Sequence, residues 1–147
     1  MTNKIHLTVA AVICRNNKYL MVKEQSENMI VINQPAGHVE PGESPLAAVT
    51  RETLEETGWL VEPAYLLNFS VFTASGNQVT YYRLTFVCEL LNELTNPEID
   101  PDILEVLWLS RQELLAAGQL RSPMVQQAIE DYEAGIRYPL EFIRVYR

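Results

Sequence analysis

The chain has 147 residues, of which 48% are hydrophobic, so a single domain with an ordinary core is expected over residues 1–147. Its 11 basic and 19 acidic side chains give a formal net charge of −8, and no stripe of basic residues is present, which argues against a nucleic-acid partner. The N-terminus lacks the layout of a signal peptide, and no apolar run approaches about 18 residues. We therefore expect a cytoplasmic protein with no membrane segment.

The first part of the chain predicts β-structure. Residues 5–14 form a nearly continuous β-prone run, which is typical of a strand buried on both faces. Asn16 and Asn17 tolerate a positive φ and predict a turn, after which residues 18–24 are expected to form the paired strand of a hairpin. Residues 29–33 predict a further short strand that leads into a Gly-containing loop.

A helix with well-defined ends follows this loop. Ser44 is a suitable N-cap, Pro45 fits the first helical position, and Gly58 fits the C-terminal stop. The helix is therefore expected to run from Pro45 to the residue before Gly58.

Three carboxylates share one face of this helix. With an advance of about 100° per residue, Glu56 lies about 40° to one side of Glu52 and Glu55 about 60° to the other, with Ala48 expected among them. Such close carboxylates repel one another, and Arg51 is the single basic residue of the helix. A solvated acidic face would explain the pattern. So would a site for a hard divalent cation, since Mg²⁺ prefers a few carboxylates and shares the rest of its shell with water and phosphates.

A long hairpin is predicted after the helix. Residues 64–74 and 78–90 are two β-prone strands, and residues 75–77 form the turn between them. On the return strand Tyr81 and Arg83 point the same way, because side chains alternate between the two faces of a strand. Tyr81 could stack on a heterocycle or pack in the core, and Arg83 could bind a phosphate or be an ordinary surface residue.

The last third of the chain predicts one strand and two helices. Residues 103–109 predict the strand, and Ser110 begins a capping box and a short helix that ends at Gly118. A second Ser-Pro pair at Ser122 begins another helix, which is expected to end near Gly135. Strands, helix, strands and helices in this order predict an α/β fold in which helices pack on the faces of a mixed sheet.

The loop and helix resemble the signature of the Nudix hydrolases, Gly-x5-Glu-x7-Arg-Glu-U-x-Glu-Glu-x-Gly-U, in which U is a bulky aliphatic residue. Seven fixed positions match this signature: Gly37, Glu43, Arg51, Glu52, Glu55, Glu56 and Gly58. Thr53 and Trp59 stand at the two aliphatic positions and depart from it. The resemblance implies a Nudix-type α/β/α sandwich in a single domain. It also implies an enzyme that hydrolyses phosphoanhydrides with Mg²⁺, which Mn²⁺ could replace.

The resemblance also implies a role for each matching residue. Metal ligands are expected at four positions: Gly37, through its backbone carbonyl, Glu52, Glu55 and Glu56. The three glutamates would be catalytic through the metal, and Glu52 could instead orient or deprotonate the attacking water. Glu43 and Arg51 would form an ion pair that holds the loop to the helix and so fixes the ligands.

The general base of this family often lies outside the signature, on a later loop. Asp102 and Glu105 are the candidates in this chain, with Glu98 and Asp100 behind them. Each of these residues alone could also be a solvated loop carboxylate, because a base must reach the attacking water and the sequence does not show that distance.

Substrate contacts are expected from His38, which directly follows the glycine of the metal site, and from Tyr81 and Arg83. Three further segments resemble one bacterial phosphatase subgroup of the family: residues 33–38, 120–123 and 137–141. This subgroup acts on small molecules, namely nucleoside di- and triphosphates and thiamine-pathway diphosphates. It implies release of orthophosphate by attack of water on a metal-bound terminal phosphate.

Two alternatives stay open beside this function. One is a Nudix pyrophosphohydrolase of another specificity, for a dinucleotide polyphosphate or a sugar nucleotide. The other is a nucleotide-binding module that has lost catalysis, which the complete set of signature carboxylates disfavours. The sequence shows no interface from which the oligomeric state could be inferred.

Overall fold

The computed structural model describes residues 4–146 and contains eight strands and three α-helices. The strands are β1 (Ile5–Val12), β2 (Cys14–Arg15), β3 (Lys18–Ser26), β4 (Met29–Asn33), β5 (Ala36–His38), β6 (Trp59–Thr73), β7 (Thr80–Glu93) and β8 (Ile103–Leu109). The helices are α1 (Pro45–Thr57), α2 (Arg111–Ala117) and α3 (Pro123–Glu133). Residues 1–3, on which part of the signal-peptide expectation depends, and residue 147 lie outside the described residues.

Two four-stranded sheets form the framework. The first has the order β5-β1-β7-β6 and is mixed, because β1 runs parallel to β7 while the other neighbours are antiparallel. In the second, β3 lies between β8 on one side and β2 and β4 on the other, and every pairing is antiparallel. The predicted hairpins and the predicted strand before α2 are confirmed.

The first core lies between α1 and the first sheet. Ala48 and Val49 pack there against Val9, Ala11 and Phe86. Ala48 is on the same stripe of α1 as two of the signature carboxylates, as predicted, but it is buried in the core, because this stripe faces the sheet. The carboxylates on the stripe are therefore drawn toward the protein interior.

The second core lies on the opposite side of the framework. Val125, Ala128 and Ile129 of α3 and Leu114 of α2 pack there against β-strand residues such as Met21. Helices thus cover both faces, and the predicted α/β/α sandwich is confirmed. The start of β1 departs from the expectation of burial on both faces, because Ile5 and Leu7 are exposed.

The chain after α3 returns to the first sheet. Tyr138 and Leu66 exchange two backbone hydrogen bonds, with N···O distances of 2.9 and 2.8 Å. Leu140 and Ile143 then pack against the first core. None of the helices within residues 4–146 has the length and apolar composition that a membrane crossing requires.

Candidate active site

A cavity of about 620 Å³ opens between the two sheets. Its walls come from β1, β3, β4, β5, α1, β6 and β7, from the loop before β8, and from the segment that leads into α3. Its volume is within the range that small-molecule sites usually have, and charged groups of both signs line it.

The signature loop and helix are held in place by local interactions. Ser44 Oγ accepts a hydrogen bond from Ala47 N at 3.1 Å and caps α1, and Pro45 begins the helix. At the other end Gly58 has a φ of 79°, which favours glycine, and its N–H donates to Leu54 O. Strand β5 pairs with β1 through Gly37 and Val9, so loop and helix approach each other at a fixed register.

Gly37 lies directly against the carboxylate of Glu52. A Cβ atom built on Gly37 would overlap that carboxylate, so any larger residue would have to displace it. One residue earlier, Ala36 N donates to Glu56 Oε1 at 3.0 Å. The backbone of β5 thus determines where two of the three signature carboxylates lie.

The three carboxylates differ sharply in their surroundings. The side chain of Glu55 is 50% exposed, that of Glu52 is 16% exposed, and Glu56 as a residue is only 6% exposed. Burial raises the pKa of Glu56 to about 9, with the hydrogen bond from Ala36 N opposing the shift and nearby carboxylates adding to it. Burial also raises the pKa of Glu52, against the lowering effect of Arg51.

Arg51 connects the loop to these carboxylates. Its Nε and Nη2 donate to the two carboxylate oxygens of Glu43 at 2.7 and 2.9 Å, which is the predicted pair in bidentate form. Its Nη1 donates to Glu52 Oε1 at 2.6 Å and to Glu55 Oε1 at 3.0 Å, and its Nη2 also donates to His38 O. The hydrogen bond from Arg51 lowers the pKa of Glu43, and that of Arg51 is raised by the same contact.

Gly37, Glu52 and Glu56 form one part of the cavity lining, called here the acidic wall, and its oxygen atoms suit a hard divalent cation. Gly37, Glu52 and Glu56 line the cavity, whereas Glu55 does not and is ion-paired to Arg51. Within residues 4–146, no three acidic, histidine or cysteine side chains form a ready-made ligand cluster. The donors present nevertheless fit Mg²⁺ or Mn²⁺ in kind, since Gly37 lies directly against the carboxylate of Glu52, and Glu56 is a buried carboxylate that forms no ion pair within residues 4–146.

Arg83 lies on the cavity wall and is only 4% exposed, so the alternative of an ordinary surface residue is wrong. Its Nη2 donates to Gln34 Oε1 at 2.7 Å and to Asn33 Oδ1 at 3.3 Å. Burial lowers the pKa of Arg83 to about 10, which still leaves the guanidinium positively charged at neutral pH. Arg121 is a second cation on the cavity wall, and its Nη1 is ion-paired to Glu24 Oε2 at 2.9 Å.

His38 and Tyr81 line the cavity near its edge. The Nε2 atom of His38 lies 3.0 Å from Nδ1 of His6, and the ring of His6 also meets that of Tyr81 edge to face. Burial, followed by the charge of His6, lowers the pKa of His38. All three predicted substrate contacts therefore lie around one cavity, together with the acidic wall.

The two predicted bases lie outside the cavity lining. Asp102 is exposed, and Glu105 is exposed and ion-paired to Lys23 at 3.5 Å. Asp100 does line the cavity, and its backbone N donates to Glu55 O at 2.9 Å. The assignment of the base to Asp102 or Glu105 stays a prediction, and Asp100 is better placed within the same loop.

Several cavity residues were not singled out from the sequence. They are Glu24 on β3 and Asn33 on β4, and Gln34, which lies behind the lining and contacts Arg83. Nothing in their local pattern distinguishes them from other polar residues at strand ends, because the pairing of strands far apart in the chain brings them together. The nearest signal was the resemblance over residues 33–38, which pointed to the segment without assigning roles within it.

Comparisons with known proteins agree with this site. A model of the NUDIX domain matches residues 4–128. The chain is 38% identical over 140 residues to the protein named Phosphatase NudJ of Escherichia coli strain K12, covering 95% of this chain and 91% of that one. It is 43% identical to the structure described as a NUDIX hydrolase from Nitrosomonas europaea, with a TM-score of 0.93 and coverage of 97% and 98%.

A more distant structure shows the same fold. The solution structure of the E. coli ORF135 protein has a TM-score of 0.71 at 23% identity, covering 90% of this chain and 91% of that one. Family model, relatives and fold agree with the signature and with the cavity around it. The chain therefore belongs to the Nudix hydrolase family, whose members use divalent metal cations, and it is an enzyme that hydrolyses phosphoanhydrides.

Proposed function

We propose that this enzyme is a Mg²⁺-dependent phosphatase that releases orthophosphate from nucleoside di- and triphosphates and from thiamine-pathway diphosphates. One observation carries the proposal: a single cavity has carboxylates and a glycine backbone at one wall and a buried guanidinium at another. The acidic wall suits the cation. The part of the lining that carries Arg83, called here the basic wall, suits the phosphates of a small anionic substrate.

Four residues would hold the cation: Gly37, through its backbone carbonyl, Glu52, Glu55 and Glu56. A bound divalent cation neutralises phosphate oxygens, polarises the phosphorus–oxygen bond and lowers the pKa of water. Mn²⁺ offers the same preference for oxygen ligands and could replace Mg²⁺. Arg51 and Glu43 would keep the helix and loop together, which their bidentate contact supports.

The reaction itself is a simple displacement. The oxygen of a water molecule bonds to the terminal phosphorus, the bridging phosphorus–oxygen bond breaks, and its electron pair stays with the leaving phosphate. A proton of the water passes to a carboxylate of the loop before β8. Asp100 is the loop carboxylate on the cavity wall, and Asp102 and Glu105 are the alternatives from the sequence.

The substrate would extend through the cavity from the acidic wall, where the cation would hold its terminal phosphate, to Arg83. Arg83 would contact a phosphate, and His38 and Tyr81 would contact the substrate nearer the edge. The name phosphatase, which the NudJ relatives carry, supports release of orthophosphate. We also infer that residues 1–147 act as one domain in the cytoplasm, on a small molecule and without a nucleic-acid or membrane partner.

Product analysis tests this proposal against its alternatives. The protein is incubated with Mg²⁺, with Mn²⁺ or with excess EDTA, and with a panel of GTP, GDP, thiamine diphosphate, a dinucleotide polyphosphate and a sugar nucleotide. We expect orthophosphate from the first three compounds, identified by mass, and no turnover in EDTA. Pyrophosphate from GTP, or nucleotides from the last two compounds alone, would favour another Nudix specificity. Tight nucleotide binding without turnover would favour a binding module.

A further inference from the structure

Arg83 is a buried cation, and the negative charges of Glu24 and Glu56 act on it only from beyond ion-pair distance. Its guanidinium has no carboxylate partner within 4.0 Å among residues 4–146, and its Nε is buried with no hydrogen-bond partner in the same range. A buried charge is costly unless it is paired, and an unpaired buried donor adds to that cost. Since the residue lies on the cavity wall, a ligand in the cavity can supply the missing negative charge.

The protein orients this cation with neutral groups. Gln34 is 1% exposed, and its Nε2 donates to Val125 O in α3 at 2.9 Å, which turns its Oε1 toward Arg83. Asn33 Nδ2 points to Glu24 Oε2 at 3.3 Å, and this leaves its Oδ1 to accept from Arg83. Two amide oxygens thus fix the direction of the guanidinium without forming an ion pair with it.

The same short segment also carries the acidic wall. Gln34 contacts Arg83, the N–H of Ala36 binds Glu56, and Gly37 lies against Glu52. Gln34 and Ala36 are only two residues apart in the chain, and the charges of Glu24 and Glu56 act on Arg83 from beyond ion-pair distance. The guanidinium therefore lies near the expected cation site without being paired to its carboxylates.

We propose that Arg83 binds the phosphate next to the one that water attacks, and that Gln34 is its positioning residue. This inference depends on the proposed function, because it assigns the attacked phosphate to the acidic wall and the neighbouring phosphate to Arg83. When the bridging bond breaks, its electron pair stays on the oxygen of the phosphate beside Arg83. The guanidinium stabilises this developing charge as well as binding the substrate.

Three substitutions test the assignment. Arg83→Gln removes the charge, Gln34→Glu places a carboxylate where it can pair with Arg83, and Gln34→Met removes the amide at similar volume. Arg111→Gln is the matched control, because Arg111 pairs with Glu133 on the surface, away from the cavity. Melting temperatures and far-UV spectra establish that each variant is folded.

Binding is measured by calorimetry in Mg²⁺ buffer with imidodiphosphate, a diphosphate analogue whose bridge resists hydrolysis. We expect Arg83→Gln to lose about 10- to 100-fold in affinity, as for one charge-assisted contact, and Gln34→Glu to lose a similar factor because its carboxylate competes with the ligand. Arg111→Gln should bind as the wild type does. Wild-type affinity in both Arg83→Gln and Gln34→Glu would overturn the assignment, and if Arg83→Gln does not fold, Gln34→Glu decides alone.

The role of Gln34 has its own spectroscopic readout. In the wild type the shielded Nε–H of Arg83 should give a slowly exchanging ¹⁵N resonance that shifts when imidodiphosphate is added. In Gln34→Met we expect this resonance to broaden and kcat to fall more than KM rises, because the cation is present but no longer fixed. An unchanged resonance and unchanged kcat in Gln34→Met would remove Gln34 from the proposal.

The two proposals can fail separately. If the wild type turns over no phosphoanhydride with Mg²⁺, the proposed function fails, while the binding of imidodiphosphate still tests Arg83. If turnover proceeds as expected and Arg83→Gln retains both affinity and kcat, the phosphatase function stands and the diphosphate assignment is wrong.

Discussion

Two arginines of the site, Arg51 beside the acidic wall and Arg83 on the cavity lining, have opposite electrostatic surroundings. Arg51 on α1 contacts the carboxylates of Glu43, Glu52 and Glu55, and its pKa is raised. Arg83 on β7 is more deeply buried, contacts only neutral amide oxygens, and its pKa is lowered. Arg51 is held by direct ion pairs, whereas Arg83 is acted on by carboxylates only from beyond ion-pair distance and can form a direct pair with a ligand. The contrast separates a residue that supports the site from one that can bind substrate.

The largest expected effect comes from Glu56, the buried carboxylate of the acidic wall. Glu56→Gln should lower kcat roughly 100- to 1,000-fold, because it removes a negative charge from the expected cation site. In metal-free buffer the same variant should be more stable, on the order of 1–3 kcal/mol, because a buried carboxylate without a cation is costly. Activity assays and urea unfolding measure the two quantities. Near-normal turnover would remove Glu56 from the cation site, and a loss of metal-free stability would contradict the cost assigned to its burial.

A smaller effect is expected when the support residue is changed. Arg51→Lys keeps the charge but cannot make the bidentate contact with Glu43 while also reaching Glu52. We expect a loss of about 1–3 kcal/mol in the free energy of unfolding, measured in urea. The control is Arg111→Lys, whose single exposed pair with Glu133 should contribute about 0–1 kcal/mol. Equal losses in the two variants would show that the contacts of Arg51 are no stronger than an ordinary surface pair.

The smallest effect is a change in the acid dependence of stability. The contact with Arg51 lowers the pKa of Glu43 in the folded protein below its value in the unfolded chain. The unfolded chain therefore binds more protons, and the pair stabilises the fold above the unfolded pKa of about 4.3 and loses this effect as the pH falls through the lower, folded value. Glu43→Gln should flatten this acid limb in unfolding curves measured below pH 5 or so. An acid limb as steep as that of the wild type would assign the acid sensitivity to other carboxylates.

The acidic wall was predictable from the sequence because local rules determine it. Ser44, Pro45 and Gly58 define the ends of α1, and helical spacing alone places Glu52 and Glu56 on one stripe. The difference in their burial was not predictable, because it depends on how α1 rotates against β5 and the first sheet.

The basic wall depends on contacts between distant parts of the chain. Arg83 meets Gln34 across 49 positions, and Gln34 meets Val125 across 91. Alternation along β7 correctly put Tyr81 and Arg83 on the same side, but a strand pattern does not show what lies opposite it. For the same reason the sequence selected the loop before β8 without separating Asp100 from Asp102, which face different surroundings only two residues apart.

Residues 33–37 are subject to a constraint on length as well as on identity. Gln34 and Pro35 connect β4 to β5 through a bend, so inserting or deleting one residue there would shift Gln34 relative to Ala36 and Gly37. Gln34 could then no longer meet Arg83 while Ala36 N and Gly37 stay against Glu56 and Glu52. An insertion of one residue should therefore leave activity intact in the turn at residues 75–77 and abolish it within residues 33–37. This should hold even if substitutions within residues 33–37 still allow the protein to fold.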